Sequence, residues 1–160
     1  MARILIVGGG CRGRALAAAT VAGGHAVRIT TRDESGRQAI EDAGAECYVG
    51  TPARLATMRG ALDGATILCW LLVGASGPGE ELAALHTTRL EFFMRQAVDT
   101  TVRGVVYETG PDPLVREGER LAREAAATHS IPLAVLAAPV GDIAAWLGEA
   151  QGAIEGLLGG

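Results

Sequence analysis

The sequence predicts an α/β fold, a doubly wound parallel sheet of about six strands between two layers of helices, on three observations. Short apolar, β-rich runs alternate with longer amphipathic stretches along the whole chain; the strand-like runs are apolar at nearly every position; and the first of them runs straight into a cluster of glycines. The alternation is that of repeated βαβ units, and strands apolar on both faces are strands covered by helices on both. With 160 residues, 49% of them apolar, the chain holds enough for one core of this three-layer kind, and a single domain over 1–160 is expected.

Strands are expected at 2–7 (ARILIV), 26–31 (AVRITT), 45–49 (AECYV), 65–72 (ATILCWLL), 104–108 (GVVYE) and 132–137 (PLAVLA). Helices are expected between and after them, at 12–22, 34–43, 53–62, 79–98, 113–129 and 141–158. In the last, Ile143, Trp146, Leu147, Ala150, Ile154, Leu157 and Leu158 recur at three- and four-residue steps, the spacing of a face laid on the sheet. The stretch GASGPGEE at 74–81 reads as a flexible loop after the fourth strand. Such loops lie where sheets of this kind bind ligands. The helix at 79–98 carries Leu82, Leu85, Leu90, Phe92, Phe93, Met94 and Val98 over more than one stripe, so part of it faces the sheet and Phe92, Phe93 or Met94 serve either a homodimer contact or a thick core.

Charge and composition exclude several classes. Net charge is −4, and the fourteen basic residues, all arginine, are scattered, so no cationic stripe for nucleic acid exists. No apolar run approaches the roughly 20 residues that cross a bilayer, and the start MARILIVGGG lacks a secretory leader; a cytoplasmic protein without membrane partners is expected. Cys11, Cys47 and Cys69 have neither the pairing of a zinc site nor an even count, and are read as reduced thiols.

Chemistry enters at the first turn. Gly8, Gly10 and Gly13 form G-x-G-x-x-G between a strand and an alanine-rich helix, the context that binds a dinucleotide in a Rossmann-type fold. Gly8 permits the tight turn, Gly10 clears the approach of the pyrophosphate to the backbone, and Gly13 lets the helix lie against the strand. The helix amino terminus faces the phosphates with its free N–H groups. Cys11 and Arg12 in the turn, and Val73 and Gly74 where the fourth strand gives way to its loop, complete the candidate contacts.

Cofactor choice turns on the end of the second strand, where NAD-binding domains place an acid on the ribose hydroxyls. Here the alternation Val27, Ile29, Thr31 puts Thr31 at that position with Arg32 beside it, which favours the 2′-phosphate of NADP. Arg12 either reinforces that phosphate or projects into solvent. A two-residue shift of register would make Asp33 the acid and NAD the alternative cofactor.

The segment GRALAAATVAGGHAVRITTR (13–32), with TILCWLLVGA (66–75) and VVYETG (105–110), resembles the atypical or extended short-chain dehydrogenases and NAD(P)-dependent epimerases. The resemblance implies a bound dinucleotide, puts Thr109 at the place of the family's catalytic serine, and implies a tyrosine activated by a lysine four positions later. Tyr48 and Tyr107 are instead followed at that distance by Pro52 and Pro111, and the chain has no lysine. With only about 23 residues after the sixth strand in this sequence, the substrate-pocket extension of the extended members is not expected within it.

Tyr107 and Thr109 close the fifth strand as substrate-orienting groups or as a satisfied core tyrosine and a strand end. His25, His86 and His129 have no sequence neighbour that makes a catalytic pair, so structural roles are expected of them. The functions that follow are an NADP-binding, short-chain-dehydrogenase-like oxidoreductase of unknown small-molecule substrate with a non-standard proton donor, or a non-catalytic NADP-responsive regulator or subunit acting on a protein partner.

Overall fold

The computed structural model describes residues 2–139 and 141–159. Its strands are β1 (Arg3–Gly8), β2 (Ala26–Thr31), β3 (Glu46–Val49), β4 (Ile67–Leu71), β5 (Gly104–Glu108) and β6 (Leu133–Leu136). All pair in parallel, in the order β3-β2-β1-β4-β5-β6. The chain starts in the middle of the sheet and winds outwards twice, so the order reverses between β1 and β4. In such sheets the crevice that binds ligands opens at this reversal, beyond the carboxyl ends of the strands.

The helices are α1 (Gly10–Ala22), α2 (Arg37–Asp42), α3 (Gly79–Leu85), α4 (Thr88–Val98), α5 (Pro113–His129) and α6 (Ile143–Gly159). Strand side chains alternate between two cores. Ile4, Ile6, Ile67, Cys69 and Leu71 meet Leu16 and Ala17 of α1, Ile40 of α2, and Trp146, Ala150 and Ile154 of α6. Leu5, Val7, Leu68, Trp70 and Tyr107 meet Leu90, Phe93 and Met94 of α4 and Val115, Ala122 and Ala126 of α5. This is the three-layer arrangement that near-continuous strand hydrophobicity predicts. Ile143, expected on the inner face of α6, is exposed.

Two expected helices differ. At 53–62 the chain makes only a short 3₁₀ turn, Leu55–Met58. The hydroxyl of Thr57 accepts from the Thr51 amide and donates to the Arg54 carbonyl at 2.6 Å, the Thr51 carbonyl at 3.2 Å being its other acceptor in reach, and so offers the backbone partners that a helix would otherwise provide. The helix expected at 79–98 breaks at His86 and Thr87 into α3 and α4. Trp70 Nε1 donates to the Leu85 carbonyl at 3.1 Å, and the Thr87 hydroxyl donates to the Ala83 carbonyl at 2.8 Å, so these carbonyls find partners outside the regular ladder.

The break carries His86 into the core, where its Nδ1 lies 2.7 Å from the Tyr107 hydroxyl. Tyr107 donates in turn to the Val115 carbonyl at 3.0 Å. Burial pushes the His86 pKa down and the Tyr107 pKa up, so both stay neutral.

The dimer reading of Phe93 and Met94 is corrected by their burial: both belong to the core beneath α4, and only Phe92 is left half-buried, beside Leu55, Met58 and Leu62. Phe93→Asp is expected to cost at least about 3 kcal/mol, the typical loss for removing a buried aromatic, with the buried charge added to it. Phe92→Asp is expected to cost much less. Thermal melts of the two variants check the contrast, and equal melting temperatures would contradict it.

Candidate functional site

The glycine turn is built as its sequence requires. Gly8, Gly9 and Gly10 have φ of +83°, +89° and +54°, three successive residues in a region that L side chains avoid. A Cβ on Gly8 would press on the Leu72 side chain and stand 2.6 Å from the Leu71 carbonyl oxygen; one on Gly13 would stand 2.9 Å from the Gly8 carbonyl oxygen. Gly9, which the motif leaves open, is constrained too, since its Cβ would meet Gly13 Cα at 2.8 Å. At Gly10 a Cβ would meet nothing within 4 Å. The first and last glycines therefore serve packing, while the middle one faces open space over the amino terminus of α1.

Gly10 also lines a cleft of about 340 Å³, together with Gly8, Gly9, Arg12, Leu71, Leu72, Gly74 and Ala75. The candidate contacts Gly8, Gly10, Arg12 and Gly74 are thus brought together at the reversal point between β1 and β4. Val73 adjoins them, its amide 3.4 Å from Glu108 Oε1. Cys11 is exposed on the first turn of α1, with Arg14 Nη2 at 3.2 Å from its sulfur.

Thr31 and Arg32 sit apart, at the end of β2. The Thr31 hydroxyl packs on Gly36 and donates to the Asp33 carbonyl at 3.3 Å. Arg32 is exposed. Asp33, the alternative ribose ligand, caps the short turn that follows: its Oδ1 accepts from the Ser35 hydroxyl and from the Ser35 amide at 3.0 Å. Those two bonds, the hydroxyl first, hold its carboxyl below the usual range.

Arg12 leans the other way. Its Nη1 pairs with Glu108 Oε2 at the end of β5, and its guanidinium lies 4.9 Å from the Trp146 ring centroid. Trp146 Nε1 donates to the same carboxylate oxygen at 2.9 Å. Since β2 and β5 stand on opposite sides of β1 and β4, at about 4.8 Å per strand the ends of β2 and β5 are roughly 14 Å apart. Arg12 held at Glu108 does not share an anion with Arg32.

Sequence reasoning missed Glu108 and Trp146 as parts of this site. The available signal was a carboxylate closing the otherwise apolar run GVVYE; nothing local marks Trp146.

Other candidates fall away from the cleft. Thr109 follows β5 with its amide on the Leu136 carbonyl at 2.9 Å, and its buried hydroxyl has no hydrogen-bond partner among the described residues. Tyr48 donates to the Thr57 carbonyl and accepts from the Gly60 amide. Cys69 is buried, its thiol pushed up to about 12. Among the described residues no cluster of ligands for a metal ion is present, and no helix is long and apolar enough to cross a membrane.

The backbone also matches solved structures. Vestitone reductase from alfalfa (Medicago sativa L.) superposes with a TM-score of 0.64 at 14% identity, over 87% of this chain and 57% of that one. It shares the Rossmann fold of reductases and epimerases. Triphenylmethane reductase from Citrobacter sp., solved with NADP(H), gives 0.65 at 17% identity over 84% of this chain and 48% of that one. UDP-glucuronic acid 4-epimerase from Bacillus cereus, solved with NAD, gives 0.66 at 12% identity over 84% and 55%. The chain therefore spans about half the length of these proteins. No family model and no curated protein matches the sequence.

Proposed function

We propose that the protein is an NADP-binding, short-chain-dehydrogenase-like domain whose crevice holds the pyrophosphate on the glycine turn and whose Arg32 takes the 2′-phosphate. The observation that carries this reading is the turn itself. Gly10 is the one motif glycine whose Cβ would meet no protein atom, and it lines a cleft at the α1 amino terminus, whose N–H groups and dipole favour an anion. Preference for NADP rests on exposed Arg32 at the β2 end, and Asp33 beside it has one carboxylate oxygen, Oδ1, turned to Ser35. Dinucleotides bound to two of the structural neighbours, NADP(H) and NAD, agree with the general class.

A nicotinamide dinucleotide held in this crevice would supply hydride chemistry to a carbonyl carbon, and the residues around it would then have to provide a proton for the developing oxyanion. The described side chains lining the cleft are aliphatic apart from Arg12. Both tyrosines are tied to backbone groups, Tyr107 fully buried, and the sequence has no lysine to lower a tyrosine pKa. This favours cofactor binding that stabilises one state of the domain, or its contact with a protein partner, over reduction by this chain alone. The expected result is that the purified protein binds NADPH and leaves its absorbance unchanged across a panel of aldehydes and ketones. Steady NADPH consumption with any of them would instead support the second reading, an oxidoreductase using a water or substrate proton.

A further inference from the structure

Glu108 is a carboxylate 2% exposed, at the edge of the sheet where ligands bind, and three groups converge on it: Arg12 Nη1 and Trp146 Nε1 on Oε2, and the Val73 amide on Oε1. Arg12 reaches it from the first turn of α1, which follows β1, and so crosses the end of β4; its Nη2 lies 3.6 Å from where a Cβ on Gly74 would stand. The Trp146 ring covers one face of the guanidinium.

Among the described residues only Nη1 of Arg12 has a hydrogen-bond partner, and the side chain keeps 14% of its surface exposed while lining the cleft with the glycine turn. A guanidinium has five donors in a rigid fork, and its value for anions lies in two parallel bonds from one edge. Here one corner and one face are held, and the Nε–Nη2 edge remains.

We propose that Glu108 and Trp146 are positioning residues that hold Arg12 across the end of β4, so that its free edge binds a phosphate oxygen of a pyrophosphate-bearing nucleotide. The proposal rests on the reading that the crevice takes a dinucleotide, and it gives Arg12 a different phosphate from Arg32. Its consequence is a division of labour: Arg32 discriminates NADP from NAD, whereas Arg12 binds what both share. Glu108 keeps the arginine in place at the cost of a carboxylate near a phosphate, which its pairing with the guanidinium offsets.

The test uses ligands that separate the two arginines: ADP-ribose, which has the pyrophosphate and no 2′-phosphate, and 2′-AMP, which has the reverse. Arg12→Met alone leaves Glu108 buried without its ion-pair partner and endangers the fold, so the pair Arg12→Met/Glu108→Gln is made as well, removing both charges together. Titration calorimetry on the full chain is expected to give roughly a ten- to hundredfold loss for ADP-ribose in the double variant, the range of a lost charge-assisted bond, with 2′-AMP unchanged.

Glu108→Gln by itself keeps the shape and an acceptor for Trp146 and is expected to weaken ADP-ribose several-fold, with Glu108→Asp recovering part of the loss. An ADP-ribose affinity unchanged in the double variant, or an equal loss of both ligands, overturns the proposal. Tighter ADP-ribose binding in Glu108→Gln also overturns it, because Glu108 would then compete for Arg12 rather than position it. Inorganic phosphate that displaces ADP-ribose only in proteins retaining Arg12 supports the assigned oxyanion contact; displacement that is equal with and without Arg12 counts against it. A wild-type protein that binds neither ADP-ribose nor NADP defeats the underlying reading of the crevice, a result distinct from an Arg12 variant that binds as wild type does.

Discussion

Gly10→Val is expected to abolish dinucleotide binding, a fall of at least roughly a hundredfold in affinity for NADP and NAD alike, because its side chain would fill the space through which the pyrophosphate reaches the backbone. The site has φ of +54°, and a β-branched residue there strains the turn. Gly10→Asn is therefore the sharper variant, since asparagine enters the left-handed region at small cost while still projecting into a position with no protein atom within 4 Å. Its melting temperature should stay near that of the wild type, and its cofactor binding should be lost. Calorimetric titration with a parallel thermal melt checks both halves, and a folded Gly10→Asn protein with wild-type affinity would place the cofactor elsewhere.

Arg32→Ala is expected to weaken NADP roughly ten- to hundredfold and to leave NAD nearly unchanged, because only NADP brings a dianionic phosphate to the end of β2. Arg12 does not blunt this loss, being held on the far side of β1 and β4 by Glu108. Arg12→Met/Glu108→Gln serves as the control with the opposite signature, an equal loss for both cofactors. Equal losses from Arg32→Ala would remove Arg32 from the 2′-phosphate.

What was legible in the sequence was what depends on near neighbours. Six strands were readable because each is an apolar run between turn residues, and the glycine turn because strand, turn and helix are contiguous from Arg3 to Ala22. The break between α3 and α4 was not readable, because it depends on Trp70 from β4 and Tyr107 from β5 taking partners at residues 85 and 86. The lost helix at 53–62 had a local cause, the bonds of the Thr57 hydroxyl to nearby backbone groups, hidden under an apolar spacing that fits a helix.

The same distinction divides the site. Gly8, Gly10 and Gly13 announce themselves, whereas Arg12 acquires its direction from Glu108, 96 residues away, and Glu108 in turn holds Trp146, 38 residues further on. A charge whose partner lies two strands away in the sheet or on the last helix has no sequence signature beyond standing in an apolar run. Thr31 and Arg32 were placed correctly at the end of β2 by the alternation Val27, Ile29, Thr31. The Ser35 cap on Asp33 became visible only with the turn that follows.

The most direct test of the central claim is calorimetric titration of the wild-type protein with NADPH and with NADH under one set of conditions. One NADPH per chain is predicted, bound roughly ten- to hundredfold more tightly than NADH. Heat from neither dinucleotide would contradict the assignment of the crevice, and tighter binding of NADH would contradict the role of Arg32 and return Asp33 to the ribose.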